Sequence, residues 1–199
     1  MSFTQTSLFD VATISAGFPL RGAVDDLAAG EVAMIQMRNV DPETGIDWVG
    51  ARRVTLPAAR SASLLVSGDV IFTTRGTRNF AVALTEIPGL AVCSPHFFVI
   101  RAADPARLAP DFLAWQINQR PAQEYFRREA TGSYILNIRR DVVENLAIVV
   151  PPIAHQRAVV AFDQIARAER AALAKLIDNR NHQIEAIALD LHRPERSKS

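Results

Sequence analysis

The chain has 199 residues, 49% of them hydrophobic and 22% charged. Those values exclude a disordered, collagen-like or disulfide-stapled chain, and a chain of this size buries about 70% of its unfolded surface without a metal or cross-link. The net charge is +1, yet of the 22 basic residues all but Lys175 and Lys198 are arginine.

The arginines are unevenly placed. Residues 50–80 contain Arg52, Arg53, Arg60, Arg75 and Arg78 against one acid, Asp69. Residues 120–140 contain Arg120, Arg127, Arg128, Arg139 and Arg140 against Glu124 and Glu129. Local basic patches on a nearly neutral chain suit a protein that meets phosphate at chosen places.

Taken in chain order, Met1–Phe18 has no basic head and no apolar run of signal-peptide length, and no apolar stretch reaches membrane-spanning length. The expectation is a cytoplasmic protein with no membrane contact. Strands are expected at Glu31–Val40, Asp47–Leu56, Val70–Thr74, Phe80–Thr85 and Phe97–Arg101, which are rich in β-branched and aromatic residues. Asp41-Pro42-Glu43-Thr44-Gly45 and Pro88-Gly89 supply turns between them. Cys93, alone and within an apolar run, reads as a small buried hydrophobe. One cysteine and four scattered histidines argue against a structural metal site, so no metal and no cofactor are expected. Helices are expected at Pro110–Gln119, started by Pro110 and Asp111, and at Ala122–Arg128. Residues 1–152 thus read as an α+β domain with a mixed, largely antiparallel sheet.

From Ile153 to Leu191 there is no glycine and no proline. This predicts one continuous helix of about 58 Å. Residues 192–199 read as a flexible tail. A domain of about 150 residues is roughly 30 Å across, so the helix is expected to outrun its own domain. Its apolar residues repeat every eleven positions: Phe162, Leu173 and Ile184; Ile165, Leu176 and Ile187; Ala166, Ile177 and Ala188. An eleven-residue period is close to that of a straight helix and draws a single apolar stripe along it. Glu169 and Arg180, also eleven apart, interrupt the stripe. A partner helix is the expected cover.

Enzymatic signatures are missing. There is no phosphate-binding glycine loop, no Gly-x-Ser-x-Gly and no His-Glu-x-x-His. The two lysine positions preclude a Glu-x-Lys nuclease motif. Pro151-Pro152 lacks the flanking polar and aromatic residues with which amino-methyltransferases grip a flipped base. No catalytic residue is assigned. Two glycine-bearing basic segments stand out instead. Thr73–Asn79 carries Arg75, Thr77, Arg78 and Asn79, and Ala130–Arg140 carries Ser133, Arg139 and Arg140. Arginine and asparagine read guanine and adenine edges bidentately, and threonine and amides near glycine suit phosphate.

Four pieces in order carry a family resemblance: Gly68-Asp69-Val70-Ile71-Phe72 with Arg75-Gly76; Pro110-Asp111-Phe112-Leu113 with Asn118; Thr131-Gly132-Ser133 with Asn137-Ile138; and Leu146–Ile153 with Pro151-Pro152, followed by Gln156 and the long helix. Thr13–Phe18 and Ile35–Val40 suit the same pattern. The set resembles the specificity (S) subunit of type I restriction-modification systems over essentially the whole chain. The resemblance implies a DNA target-recognition domain followed by a helical spacer that pairs as an antiparallel coiled coil. Family members carry two such units in tandem, one per half of an interrupted DNA site. This chain holds one, as a half-subunit would.

The resemblance implies double-stranded DNA, a methyltransferase (modification) subunit and a restriction subunit as partners, with homodimerisation through the helix. Arg38, Asn39, Arg75, Thr77, Arg78 and Asn79 are the candidates for base edges. Arg52, Arg53, Arg60, Ser133, Arg139 and Arg140 are the candidates for phosphates. Phe162, Ile165, Glu169, Leu173, Leu176, Arg180, Ile184 and Ile187 are the candidates for the dimer interface. Two alternatives remain open at this stage. One is a specificity-like module of another restriction or phage-defence assembly. The other is a helix-mediated protein-interaction module that does not bind DNA.

Overall fold

The computed structural model describes residues 5–19, 30–55, 64–132 and 135–192. In chain order the strands are β1 (Gln5–Ser7), β2 (Ala12–Ala16), β3 (Val32–Ile35), β4 (Val40–Asp41), β5 (Gly45–Ile46), β6 (Arg52–Val54), β7 (Asp69–Thr73), β8 (Arg75–Gly76), β9 (Ala81–Ala83), β10 (Ala91–Cys93) and β11 (Phe97–Ala102). Helices α1 (Pro110–Asn118) and α2 (Arg120–Glu129) follow. Strand β12 (Leu136–Asn137), helix α3 (Arg140–Glu144), strand β13 (Ala147–Val149) and helix α4 (Ile153–Leu191) complete the chain. The fold is α+β, as expected. Among the described strands every pairing is antiparallel except that of β10 with β3.

The central sheet has the order β2-β11-β7-β9 and is covered on both faces. Val70 and Phe72 of β7, with Ile14 and Ile100, face a core built from Phe112, Leu113 and Ile117 of α1 and Phe126 of α2. Ile71 and Val99 point the other way, into a second core with Ile35, Ala91 and Cys93 of the β10-β3-β6 sheet. A strand buried on both sides needs apolar residues without alternation. This is why Val70-Ile71-Phe72 is continuous. Cys93 lies in that second core, where burial pushes its thiol up to about 12.

Several expected strands are shorter in the structure. Glu31–Val40 ends as a strand at Ile35, because residues Met37–Asn39 close into a 3-10 turn. The side-chain oxygen of Asn39 accepts from the backbone N–H of Gln36, while the N–H of Asn39 donates to the carbonyl of Gln36. Among its described residues Asp47–Leu56 contributes the strand Arg52–Val54, because the Asp47 carboxylate accepts from the N–H of Gly50 and holds a turn. His96 sits in the turn just before β11.

Three primary amides tie loops and strand edges together. Asn118 donates to the carbonyl of Ala81 and accepts from its N–H, both at 2.8 Å. Gln116 does the same for Val149, at 2.8 and 2.9 Å. Gln156, fully buried, accepts from the N–H of Ala109 and donates to the carbonyls of Arg107 and Pro151. The Pro-Pro-x-x-x-Gln junction is therefore a clamp between the start of α4 and the loop that leads into α1.

The chain forms two compact units, residues 1–160 and 161–199. The boundary between the two units falls two turns inside α4. Gln156, Val159 and Val160 belong to the packing of the first unit. The second unit consists, among its described residues, of the rest of α4. There, Phe162, Ile165, Leu173, Leu176, Ile184 and Ile187 are 53–74% exposed. Asp163 and Arg167 form an i,i+4 ion pair at 2.6 Å along it. The tail expected at 192–199 lies outside the described residues except for His192.

Candidate nucleic-acid interface

The two glycine-bearing basic segments, distant in sequence, are paired with each other. β8 and β12 run antiparallel, with Arg75 opposite Asn137 and Gly76 opposite Leu136. The N–H of Ile138 donates to the carbonyl of Thr74 at 2.8 Å. On its other side β12 bonds Thr131: Asn137 donates to the Thr131 carbonyl at 2.9 Å and accepts from the Thr131 N–H at 3.2 Å. Gly132 makes this fold-back possible, with φ at +96° and the space of a Cβ filled by the Ile135 carbonyl. Thr74 in turn donates through its N–H and its hydroxyl to the carbonyl of His96. The result is a short polar ribbon seated on the end of the central sheet.

Arg75 and Asn137 are both exposed on this ribbon, and neither side chain has a hydrogen-bonding or ionic partner among the described residues. Arg78 and Thr77 are exposed in the loop that follows. The charge of Arg78 reaches Asp41, whose carboxyl is held below its ordinary value chiefly by the backbone N–H groups of Thr44 and Glu43. Arg38 is exposed on the 3-10 turn just before that segment.

Two base-edge candidates occupy different places from those expected. Asn39 and Asn79 are each only 3% exposed. Asn39 caps the 3-10 turn, and Asn79 donates to the carbonyl of Thr73 at 2.8 Å. Both side chains are buried and bonded inward, so neither faces outward. Asn137, which in the sequence is part of a motif and not a base-edge candidate, does face outward.

The phosphate candidates are dispersed. Arg52 and Arg53 lie on β6, opposite Met34 and Ala33 in a different sheet, and Arg53 donates to the carbonyl of Glu31. Arg139 pairs with Asp141 at 3.1 Å and Arg140 with Glu144 at 2.7 Å around the start of α3. Exposed pairs of this kind cost little to open, so these side chains remain available. Arg60 and Ser133 lie outside the described residues. No cluster of three or more His, Cys, Asp or Glu suited to a metal occurs among the described residues, and no described helix is long and apolar enough to cross a membrane.

This α+β fold is that of solved type I restriction-modification specificity subunits. The chain is similar in structure to the S subunit of the type I system of M. genitalium, with a TM-score of 0.58 at 15% identity over 91% of this chain and 43% of that one. It is similar to the HsdS subunit of Thermoanaerobacter tengcongensis, with a TM-score of 0.62 at 16% identity over 87% of this chain and 39% of that one. A third match is a chain from a structure concerned with complex assembly and conformational transition of the type I R-M system. Its TM-score is 0.67 at 14% identity, over 93% of this chain and 43% of that one. The chain therefore spans about two fifths of the length of these structures. No protein-family model and no curated protein matches it.

Proposed function

We propose that this chain is a non-catalytic DNA sequence-recognition element of a type I-like restriction-modification system. In this reading residues 1–152 contact duplex DNA, and α4 serves as spacer and dimerisation helix. The chain directs a methyltransferase subunit, with a nuclease subunit where one exists, to a bipartite site. The observation that carries the reading is the fold shared with specificity subunits over about nine tenths of the chain. The outward basic ribbon at Arg75 and the absence of nucleophile, base or phosphate-loop motifs from the sequence support it.

Two copies of the chain would restore two recognition domains through a C₂ axis, with residue i meeting j and j meeting i. The exposed apolar stripe of α4 supports pairing with a second copy. In a symmetric antiparallel pair the contacting numbers share one sum. At 349, Glu169 meets Arg180, Phe162 meets Ile187, Ile165 meets Ile184 and Leu173 meets Leu176. The row through Phe162 is then matched to the row through Ile165, and the two polar residues to each other. A two-fold pair reads inverted half-sites separated by unread base pairs.

The test is duplex-DNA affinity across a salt series. A reader of several phosphates loses affinity steeply with salt. Arg75→Ala or Arg78→Ala should relax preference at particular bases, whereas Arg52→Ala or Arg53→Ala should weaken all sequences alike and flatten the slope. The exposed stripe of α4 equally suits a helix-mediated interaction module. Absence of salt-sensitive DNA binding by the dimeric chain would favour that second reading.

A further inference from the structure

We infer that Asn137 is a second base-reading residue, working beside Arg75 so that the β8–β12 ribbon reads two neighbouring base pairs in the major groove. The inference rests on the DNA-recognition reading above and names the residue and the kind of contact.

Strand geometry leads to it. Both backbone polar groups of Asn137 bond Thr131, on the side of β12 away from β8. The cross-strand pair Arg75–Asn137 is therefore a non-hydrogen-bonded pair of the β8–β12 ladder. In such pairs the side chains stand closest, with Cβ atoms about 4.5–5.5 Å apart and on the same face. Successive base pairs are stacked about 3.4 Å apart, so two side chains at this spacing address adjacent steps. The flanking residues leave the pair uncrowded: Gly76 has no side chain, and Thr74 and Ile138 are turned inward and buried.

Chemistry completes the argument. The major groove admits a two-stranded β-ribbon. An arginine there takes the O6 and N7 of guanine bidentately, and an asparagine takes the N6 and N7 of adenine. Neither side chain is engaged by another described residue. Asn39 and Asn79, by contrast, have theirs bonded inward. The ribbon thus presents one guanine reader and one adenine reader side by side, with the fold holding their backbones by hydrogen bonds that involve neither side chain.

The test is selection of duplexes from a randomised library by the full chain, by Arg75→Ala, by Asn137→Ala and by the double variant, followed by affinity measurements on the selected site. Asn137→Ala should lose preference at one base pair, an adenine in the parent site, next to the one released by Arg75→Ala. The discrimination lost there should be about ten- to a hundredfold, with an unchanged melting temperature and an unchanged salt slope. If the parent selects a defined site and Asn137→Ala selects the same one, the inference is overturned while the broader reading stands. If positions lost by the two variants are not adjacent, the ribbon geometry is overturned. If the parent selects no site, the DNA-recognition reading falls and takes this inference with it.

Discussion

Asp69 and Arg101 face each other across the β7–β11 ladder and are joined by two hydrogen bonds, Nε to Oδ1 at 2.6 Å and Nη2 to Oδ2 at 2.8 Å. Asp69 is fully buried, whereas the Arg101 side chain is 48% exposed. The same carboxylate accepts from the N–H of Val66 and closes the turn at Gly68. The aspartate of the Gly68-Asp69 piece thus locks the turn and the sheet end.

Arg101→Ala would leave the buried carboxylate without its cation. Removing one partner of a buried pair costs about 3–5 kcal/mol, and half exposure of the arginine reduces that to about 2–3 kcal/mol here. Urea unfolding of the variant should show this loss with an unchanged slope. A loss below about 1 kcal/mol would mean that Asp69 is held by the turn alone.

Gln156→Leu keeps most of the volume and removes every polar contact at the clamp. The N–H of Ala109 and the carbonyls of Arg107 and Pro151 would lose a partner that is now within 2.7–2.9 Å. Stranded buried groups cost about 1–3 kcal/mol each, and water relieves some of them, so a total loss of about 2–4 kcal/mol is expected by chemical denaturation. An equally stable leucine variant would remove Gln156 as the junction's lock.

The helix pairing predicts a charge-swap result. Glu169→Arg should weaken the dimer by placing like charges opposite each other, and adding Arg180→Glu should restore it. Sedimentation equilibrium of the two variants checks this. A parent that stays monomeric at micromolar concentration, or a second substitution that fails to rescue, would sink the antiparallel register.

Cys93 predicts a pH effect of definite sign. Its thiol titrates near 12 in the folded chain against an ordinary value of 9.0. Above pH 9 the unfolded chain releases this proton and the folded chain keeps it. The unfolded state then binds fewer protons, so stability falls as pH rises from about 9 towards 12, by up to about 1.4 kcal/mol per pH unit. Cys93→Ala should flatten that part of the stability profile. The native thiol should also resist alkylation until the chain unfolds.

The long helix was legible because nothing in Ile153–Leu191 interrupts it, and β7 because a doubly covered strand has to be apolar throughout. The sequence does not announce that Asn39 bends back onto Gln36 and so ends β3 at Ile35. The two basic glycine segments were visible one by one. Their pairing was not, since it depends on where the central sheet carries Thr74 and where α2 and the Gly132 turn return the chain. For the same reason the sequence alone makes Asn79, and not Asn137, a base-edge candidate. Residue type gives the chemistry, and only the ladder decides which asparagine turns outward.

The amides of Asn118 and Gln116 have a bearing on colloidal behaviour. β9 borders the central sheet and β13 has a single strand neighbour, β1, among the described strands. An open strand border invites edge-to-edge aggregation, because its free N–H and C=O groups template a newcomer. At Ala81 and Val149 both groups are already taken by a side chain from α1. A foreign strand would have to displace two well-placed bonds at each point, so one helix both fills the core and keeps the sheet from growing.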